Sequence, residues 1–347
     1  MTHEYQRPPE TEGLRLHLNE NTAGCSPRVT SALRDLTRER IAFYPNYDGI
    51  AEAAAARFRV ASSNVLLTNG LDEGILVAAI AAVRSAGSQP FEAIVVQPAF
   101  DMYEACTDAV GGRIVNIPPQ TDFVFPLDRV TEAITPGTRV IFLTNPNNPT
   151  GLSIQRDTVA AVARAAPQAL TFLDEAYADF AGETMMDDAA SGRIPNLVVG
   201  RTFAKAYGLA GLRIGALVGS EATLAPMRRA IPPYSLNVFA AAALPVALED
   251  VEYYDWYLAE VHASKKLLYD VLARHSVRFW PSDGNFVLAC FGDDLDRVIR
   301  EVGRRGIAIR DRSSDPGCTG CARITAGVVE HTRRVVTALE EVLCGVR

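Results

Sequence analysis

Short β-branched and apolar runs at residues 64–68, 93–97, 139–144, 169–173 and 196–201 alternate with helix-length segments such as 72–85, 128–134 and 157–166. Runs that are apolar on both faces, separated by helical crossovers, predict a mainly parallel sheet with helices on each side. Each run ends in a polar or glycine-bearing segment: Asn69-Gly70, Asn145-Pro146, Asp174-Glu175 and Thr202. In open α/β sheets ligands bind beyond the carboxyl ends of the strands, so chemistry is to be sought there. After about residue 240 the pattern changes. A long helical stretch at 251–275 leads into short runs at 277–280, 286–291, 307–310 and 322–325, with helices near 295–304 and 332–343. The expected fold class is therefore α/β, with a three-layer α/β/α large domain over 41–240 and a smaller α+β domain built from 1–40 and 241–347.

Composition narrows the function classes. The 347 residues carry 34 basic and 41 acidic side chains, a net charge of -7, and 48% of them are hydrophobic. A chain of this length buries a sizeable core without disulfides or structural metals. Basic residues are scattered, so neither nucleic acid nor an anionic membrane is offered a broad positive face. Residues 1–21 contain Glu4, Glu10, Glu12 and Glu20 and no apolar core, unlike a signal peptide. The longest apolar stretch, 238–248, is interrupted by Pro245 and falls short of the ~20 residues of a membrane helix. A cytoplasmic location is expected. The six cysteines do not form a secreted disulfide pattern, and the lone Cys318-Thr319-Gly320-Cys321 lacks the second pair a zinc site needs. It reads as a turn between strands, and no metal is expected.

The stretch Arg201-Thr-Phe-Ala-Lys205-Ala-Tyr-Gly-Leu-Ala-Gly-Leu-Arg213-Ile-Gly215 sets a lysine just past a buried run, among small residues and glycines. An amine buried there is suited to form a Schiff base with an aldehyde cofactor; taken alone, it reads more readily as a helix-start lysine facing solvent. Asp174 follows another apolar run, as a mostly buried carboxylate in need of a cationic partner or as the cap of the next helix. Asn145-Pro-Asn-Asn-Pro-Thr-Gly151 ends a third run with two prolines that fix the turn and present an Asn amide. Asn69-Gly70-Leu-Asp72-Glu73 opens a helix whose free N–H groups suit a phosphate. Tyr103, near a helix start, is placed to cover a planar ring or to join the core.

These motifs, NPNNPTG, DEAY and TFAKAYGLAGLRIG in this order, resemble the class I and II aminotransferases of pyridoxal-phosphate (PLP) dependent transferase fold type I, over essentially the whole chain. The opening Leu18-Asn-Glu-Asn21, the segment NGLDEGI, PPYSLN at 232–237 and the closing Arg310-Asp-Arg-Ser and Ala-Arg323-Ile-Thr are most similar to histidinol-phosphate aminotransferases. The resemblance implies that Lys205 forms the Schiff base with pyridoxal 5'-phosphate and shuttles the Cα proton. Asp174 pairs with the pyridinium nitrogen, Asn148 and Tyr177 bond the ring's 3-oxygen, and Tyr103 stacks on the ring. The cofactor phosphate is held by the backbone of Leu71 and Asp72, by Thr202 and by Arg213. Tyr44 matches a tyrosine that reaches the phosphate of a neighbouring subunit, so a homodimer is implied.

For the substrate, the resemblance assigns Arg323, Arg310, Tyr5 and Asn19, within an N-terminal segment that covers the site. From spacing alone the two arginines fit surface ion pairs equally well. The implied reaction moves an amino group between glutamate/2-oxoglutarate and imidazole-acetol phosphate/histidinol phosphate, in histidine biosynthesis. Aminotransfer to aromatic or other 2-oxo acids and decarboxylation of a phosphorylated amino acid are the alternatives. A dinucleotide oxidoreductase lacks its GxGxxG after the first strand. Two departures from the family pattern stand out: Ala204 where a phosphate-binding serine is common, and Thr22 where a proline often follows Asn-Glu-Asn.

Overall fold

The computed structural model describes residues 12–87 and 91–344. Strand β1 (Leu14–Arg15) precedes the main sheet, formed by β2 (Val65–Thr68), β3 (Glu92–Val96), β4 (Arg113–Ile117), β5 (Thr138–Thr144), β6 (Leu170–Asp174), β7 (Leu197–Thr202) and β8 (Gly215–Val218). Their order is β2-β8-β7-β6-β5-β3-β4. All pairings are parallel except those of β8, which runs against both β7 and β2. The other six strands therefore point one way and end at one edge. Central β5 and β7 are buried at almost every position, which is why they read as continuous apolar runs.

Two strands escaped the hydrophobic pattern. β4 (Arg-Ile-Val-Asn-Ile) is an edge strand, mostly open to solvent, and so carries polar residues. β8 has only four residues, opening with Gly215. At Gly215 a side chain would press within 2.8 Å of the Leu71 backbone nitrogen.

A second sheet, of strands β9 (Arg278–Trp280), β10 (Phe286–Cys290), β12 (Arg310–Asp311) and β13 (Cys321–Thr325), is antiparallel in the order β12-β13-β10-β9. The single run expected at 307–310 is split. β11 (Ile307–Ala308) pairs in parallel with β1, whereas Arg310 faces Arg323 across the β12–β13 pair. Buried Ile309 lies at the switch. The helix Val329–Cys344 packs on the long helix Val251–Arg274. Cys318 and Cys321 form the turn into β13, the Cys321 N–H donating to the Cys318 carbonyl at 2.9 Å, and both thiols are free. Among the described residues no helix is long and apolar enough to cross a membrane.

Behind the carboxyl edge of the main sheet sits a buried ionic knot. Arg201 meets Glu175 at 3.2 Å and Asp179 at 2.5 Å, and the Tyr254 hydroxyl donates to Asp179 at 2.9 Å. Glu175 also accepts from the Met185 N–H at 2.7 Å and the Thr184 hydroxyl at 2.5 Å. The residue next to Asp174 is thus fixed on three sides.

Candidate active site

The carboxyl ends of the parallel strands open onto a cavity of about 230 Å³, roofed by the second sheet and by Leu18 of the N-terminal segment. Lys205 enters from the 203–214 connection between β7 and β8. Its Nζ donates to the Leu18 carbonyl at 3.1 Å and lies 5.7 Å from the centre of the Tyr177 ring. The amine is half-buried, since the cavity itself opens on it.

Asp174, the last residue of β6, is 4% exposed. Its Oδ1 accepts from the Ala176 N–H at 2.9 Å and its Oδ2 from the Tyr103 hydroxyl at 2.7 Å. The next helix, Ala178–Ala181, starts after Tyr177 with no side-chain cap, so Asp174 makes a turn contact and not the helix cap. Burial pushes the Asp174 carboxyl up to about 6. Burial, then the nearby Asp174 charge, hold the Tyr103 phenol far above its usual range, so it remains a donor. The Tyr103 ring, expected to lie against a cofactor, stacks on Phe142 with centroids 4.9 Å apart, and its hydroxyl also meets Thr144 at 2.8 Å.

The NPNNPTG loop is held by its own amides. The Asn145 N–H donates to the Asp174 carbonyl at 2.8 Å, Asn145 Oδ1 accepts from the Ile154 N–H at 2.8 Å, and Asn147 Oδ1 accepts from the Thr150 hydroxyl at 2.9 Å. This leaves Asn148 facing the cavity, where its Oδ1 accepts from an Arg323 Nη1 donor. Arg323 also donates to the His17 carbonyl at 2.8 Å. It is buried, and burial, with the Arg312 and Arg310 charges adding to it, lowers its guanidinium to about 10.

At the opposite end the helix Gly70–Ala86 points its first turn at the cavity, with Leu71 and Asp72 lining it. Gly70 has φ of +75°, and a side chain there would come within 2.6 Å of the Arg213 guanidinium. Arg213 Nη2 meets Asp72 at 2.7 Å, and Thr202 Oγ1 accepts from the Ala204 N–H at 3.2 Å. Helix N–H groups, a hydroxyl and an arginine over a glycine form an anion cradle. Among the described residues no cation pairs with buried Asp174. An amine, a lone buried carboxylate and an anion cradle about one cavity fit an aldehyde-bearing ring with a protonated nitrogen and a phosphate, which is pyridoxal phosphate.

Other residues singled out in the sequence fall elsewhere. Asn19 lines nothing in the cavity: its Nδ2 donates to the Tyr177 hydroxyl at 3.1 Å, and its Oδ1 accepts from the Thr325 hydroxyl at 3.1 Å. A buried amide takes the protein partners within reach. Tyr44 is 77% exposed and stacks on Tyr234 at 4.1 Å, outside the cavity. Tyr5 lies outside the described residues. Arg310 does line the cavity, and so does Arg312, which sequence reasoning passed over. Thr22, in place of the proline, accepts from the Val328 N–H at 3.0 Å and ties the N-terminal segment to the start of the last helix.

The model of the family "Aminotransferase class I and II" matches residues 11–339, and the chain belongs to that family. Among its relatives, histidinol-phosphate aminotransferase 2 of Ralstonia nicotianae is 36% identical over 343 residues, 95% of this chain and 88% of the relative. The histidinol-phosphate aminotransferase of Symbiobacterium thermophilum is 34% identical over 335 residues, 95% of this chain and 90% of the relative. The crystal structure of histidinol-phosphate aminotransferase from Sinorhizobium meliloti in complex with pyridoxal-5'-phosphate superposes with a TM-score of 0.85 at 26% identity, over 97% of this chain and 92% of that one.

Proposed function

We propose that the protein is a pyridoxal-phosphate-dependent transaminase that moves an amino group between glutamate/2-oxoglutarate and imidazole-acetol phosphate/histidinol phosphate, a step of histidine biosynthesis in the cytoplasm. The observation that carries this reading is one cavity shared by the Lys205 amine, the unpaired Asp174 carboxylate and arginines of the second sheet. Relatives named histidinol-phosphate aminotransferase at 34–36% identity support the substrate.

In this reading Asp174 would hold the cofactor's ring nitrogen, Leu71, Asp72, Thr202 and Arg213 would hold its phosphate, and Asn148 and Tyr177 would bond its ring oxygen. Pyridoxal phosphate, when bound, supplies an aldehyde for the amine and a ring that withdraws electrons from the bond to be broken. Asp174 remains ionised beside the ring's positive nitrogen. Lys205 Nζ, released from the Leu18 carbonyl, takes up the proton leaving the substrate α-carbon, a general-base role worth about 10²–10⁴-fold. Arg323, braced by Asn148 and the His17 carbonyl, offers a planar fork to a substrate anion. The test is glutamate-dependent conversion of imidazole-acetol phosphate beside aromatic 2-oxo acids and phosphothreonine. Preference for either of the latter two overturns the substrate, and failure of all three overturns the activity.

A homodimer is part of the proposal. Ile41, Phe43, Tyr44 and Tyr234 are each more than half exposed, an apolar patch suited to a second copy. If Tyr44 completes the opposite site, Lys205→Ala and Tyr44→Ala proteins, each impaired alone, regain roughly a quarter of wild-type activity when refolded together, because mixed dimers hold one intact site. Assay of the mixture checks this, and no gain over the separate proteins rejects the shared site.

A further inference from the structure

We propose that Arg312 is a specificity-determining residue that receives the phosphate group of the phosphorylated substrate, with Asp315 holding its guanidinium in place. The inference rests on the transaminase reading and adds to it a residue that neither motif nor family pattern assigned.

The geometry begins with strand alternation. Arg310 pairs with Arg323 across β12 and β13, Asp311 pairs with Ala322, and the Arg312 N–H extends the ladder by donating to the Cys321 carbonyl at 3.0 Å. Alternate residues share a face, so Arg310 and Arg312 project to the same side while Asp311 turns to solvent. Arg310, Arg312 and Arg323 all line the cavity, which Arg213 also lines.

Carboxylates within reach do not balance them. Among the described residues neither Arg310 nor Arg323 has an acidic partner, and only Arg312 has one, Asp315 three residues on. Arg312 is 8% exposed, and its Nε has no hydrogen-bond partner. That Nε is closed off, as is the Arg323 Nε, so a ligand would meet Arg312 through its Nη groups, and a buried cation with a single acidic partner is costly until one does. The Asp315 backbone N–H bonds back to the Arg312 carbonyl at 2.9 Å, closing a tight turn that keeps acid and base together. Asp315 engages one Nη, which leaves the other for phosphate oxygens. A dianionic phosphate suits such a cluster better than a carboxylate does. Both amino donors must use the cavity in turn, glutamate without phosphate and histidinol phosphate with it. A residue dedicated to the phosphate therefore separates the two.

The test uses PLP-loaded enzyme and three amino donors, histidinol phosphate, histidinol and glutamate, each followed in a single half-reaction. Hydrogen bonds to charged groups are worth about 1.5–3 kcal/mol, so Arg312→Gln is expected to raise the KM for histidinol phosphate about 10- to 100-fold. The loss with histidinol phosphate should exceed the loss with histidinol or glutamate by at least about tenfold. Arg312→Lys, which keeps the charge and loses the fork, should fall between the two and serves if the Gln variant does not fold. An equal loss with all three donors, or an unchanged KM for histidinol phosphate, overturns the proposal. If wild type does not turn over histidinol phosphate at all, the substrate of the preceding section falls. Orthophosphate binding to the loaded proteins then decides on Arg312: a tenfold or greater loss in the variant supports it, and equal affinity rejects it.

Discussion

Lys205→Ala is expected to reduce amino transfer by at least about 10⁴-fold while leaving the fold intact, since under the proposed function it removes both the amine that would bind the cofactor aldehyde and the base for the α-proton. The stability cost is small because Nζ makes one hydrogen bond, to the Leu18 carbonyl at 3.1 Å, and that half-buried carbonyl can turn to water. A neutral bond of this kind nets about 0.5–1.5 kcal/mol. Two measurements separate the roles. Wild-type protein with pyridoxal phosphate should show a visible absorbance band that borohydride bleaches, and the variant should not. Methylamine, small enough for a cavity of about 230 Å³, should restore part of the variant's turnover by standing in for the missing base. A variant retaining wild-type turnover would show that position 205 lies outside the chemistry.

Residues at strand ends were the most legible part of the site, because a polar residue after an apolar run is conspicuous in sequence. Lys205, Asp174 and the NPNNPTG loop all stand out in this way. The partner of Asn19, Tyr177, lies 158 residues away, and only the fold shows that the amide faces a protein hydroxyl. The Arg323–Asn148 contact, across 175 residues, was invisible for the same reason. Arg312 carried a usable signal: it stands two residues after Arg310, and strand alternation puts such a pair on one face. The break of the 307–310 run between two sheets hid it, because a pattern of apolar residues does not reveal which neighbour each will pair with. The parallel sheet was readable where strands are buried on both faces and unreadable at edge strand β4 and short β8.

Asp174→Asn should move stability and activity in opposite directions. The carboxyl is raised by burial from 3.8 to about 6, which means that the folded state disfavours its ionised form. Below about pH 3 the group is protonated in folded and unfolded chains alike and costs nothing. As pH rises from about 4 to 6 the unfolded chain ionises and the folded one resists, so the penalty grows and then levels at about 3 kcal/mol. Asparagine avoids it. Its amide oxygen can still accept from the Ala176 N–H while its NH₂ group donates to the Tyr103 hydroxyl, which can donate in turn to Thr144 at 2.8 Å. Cofactor-free Asp174→Asn is therefore expected to be more stable than wild type at pH 7.5, by up to about 3 kcal/mol, with the difference shrinking to less than about 1 kcal/mol near pH 4. In the loaded enzyme the sign reverses. A neutral amide leaves the ring's buried positive charge unpartnered, a loss of about 3–5 kcal/mol, and amino transfer should fall by about 10²–10⁴-fold. Thermal unfolding of the cofactor-free pair at both pH values, beside their turnover with cofactor, checks the two halves independently. A variant less stable than wild type at pH 7.5 would show that the Asp174 carboxylate is not strained in the empty cavity.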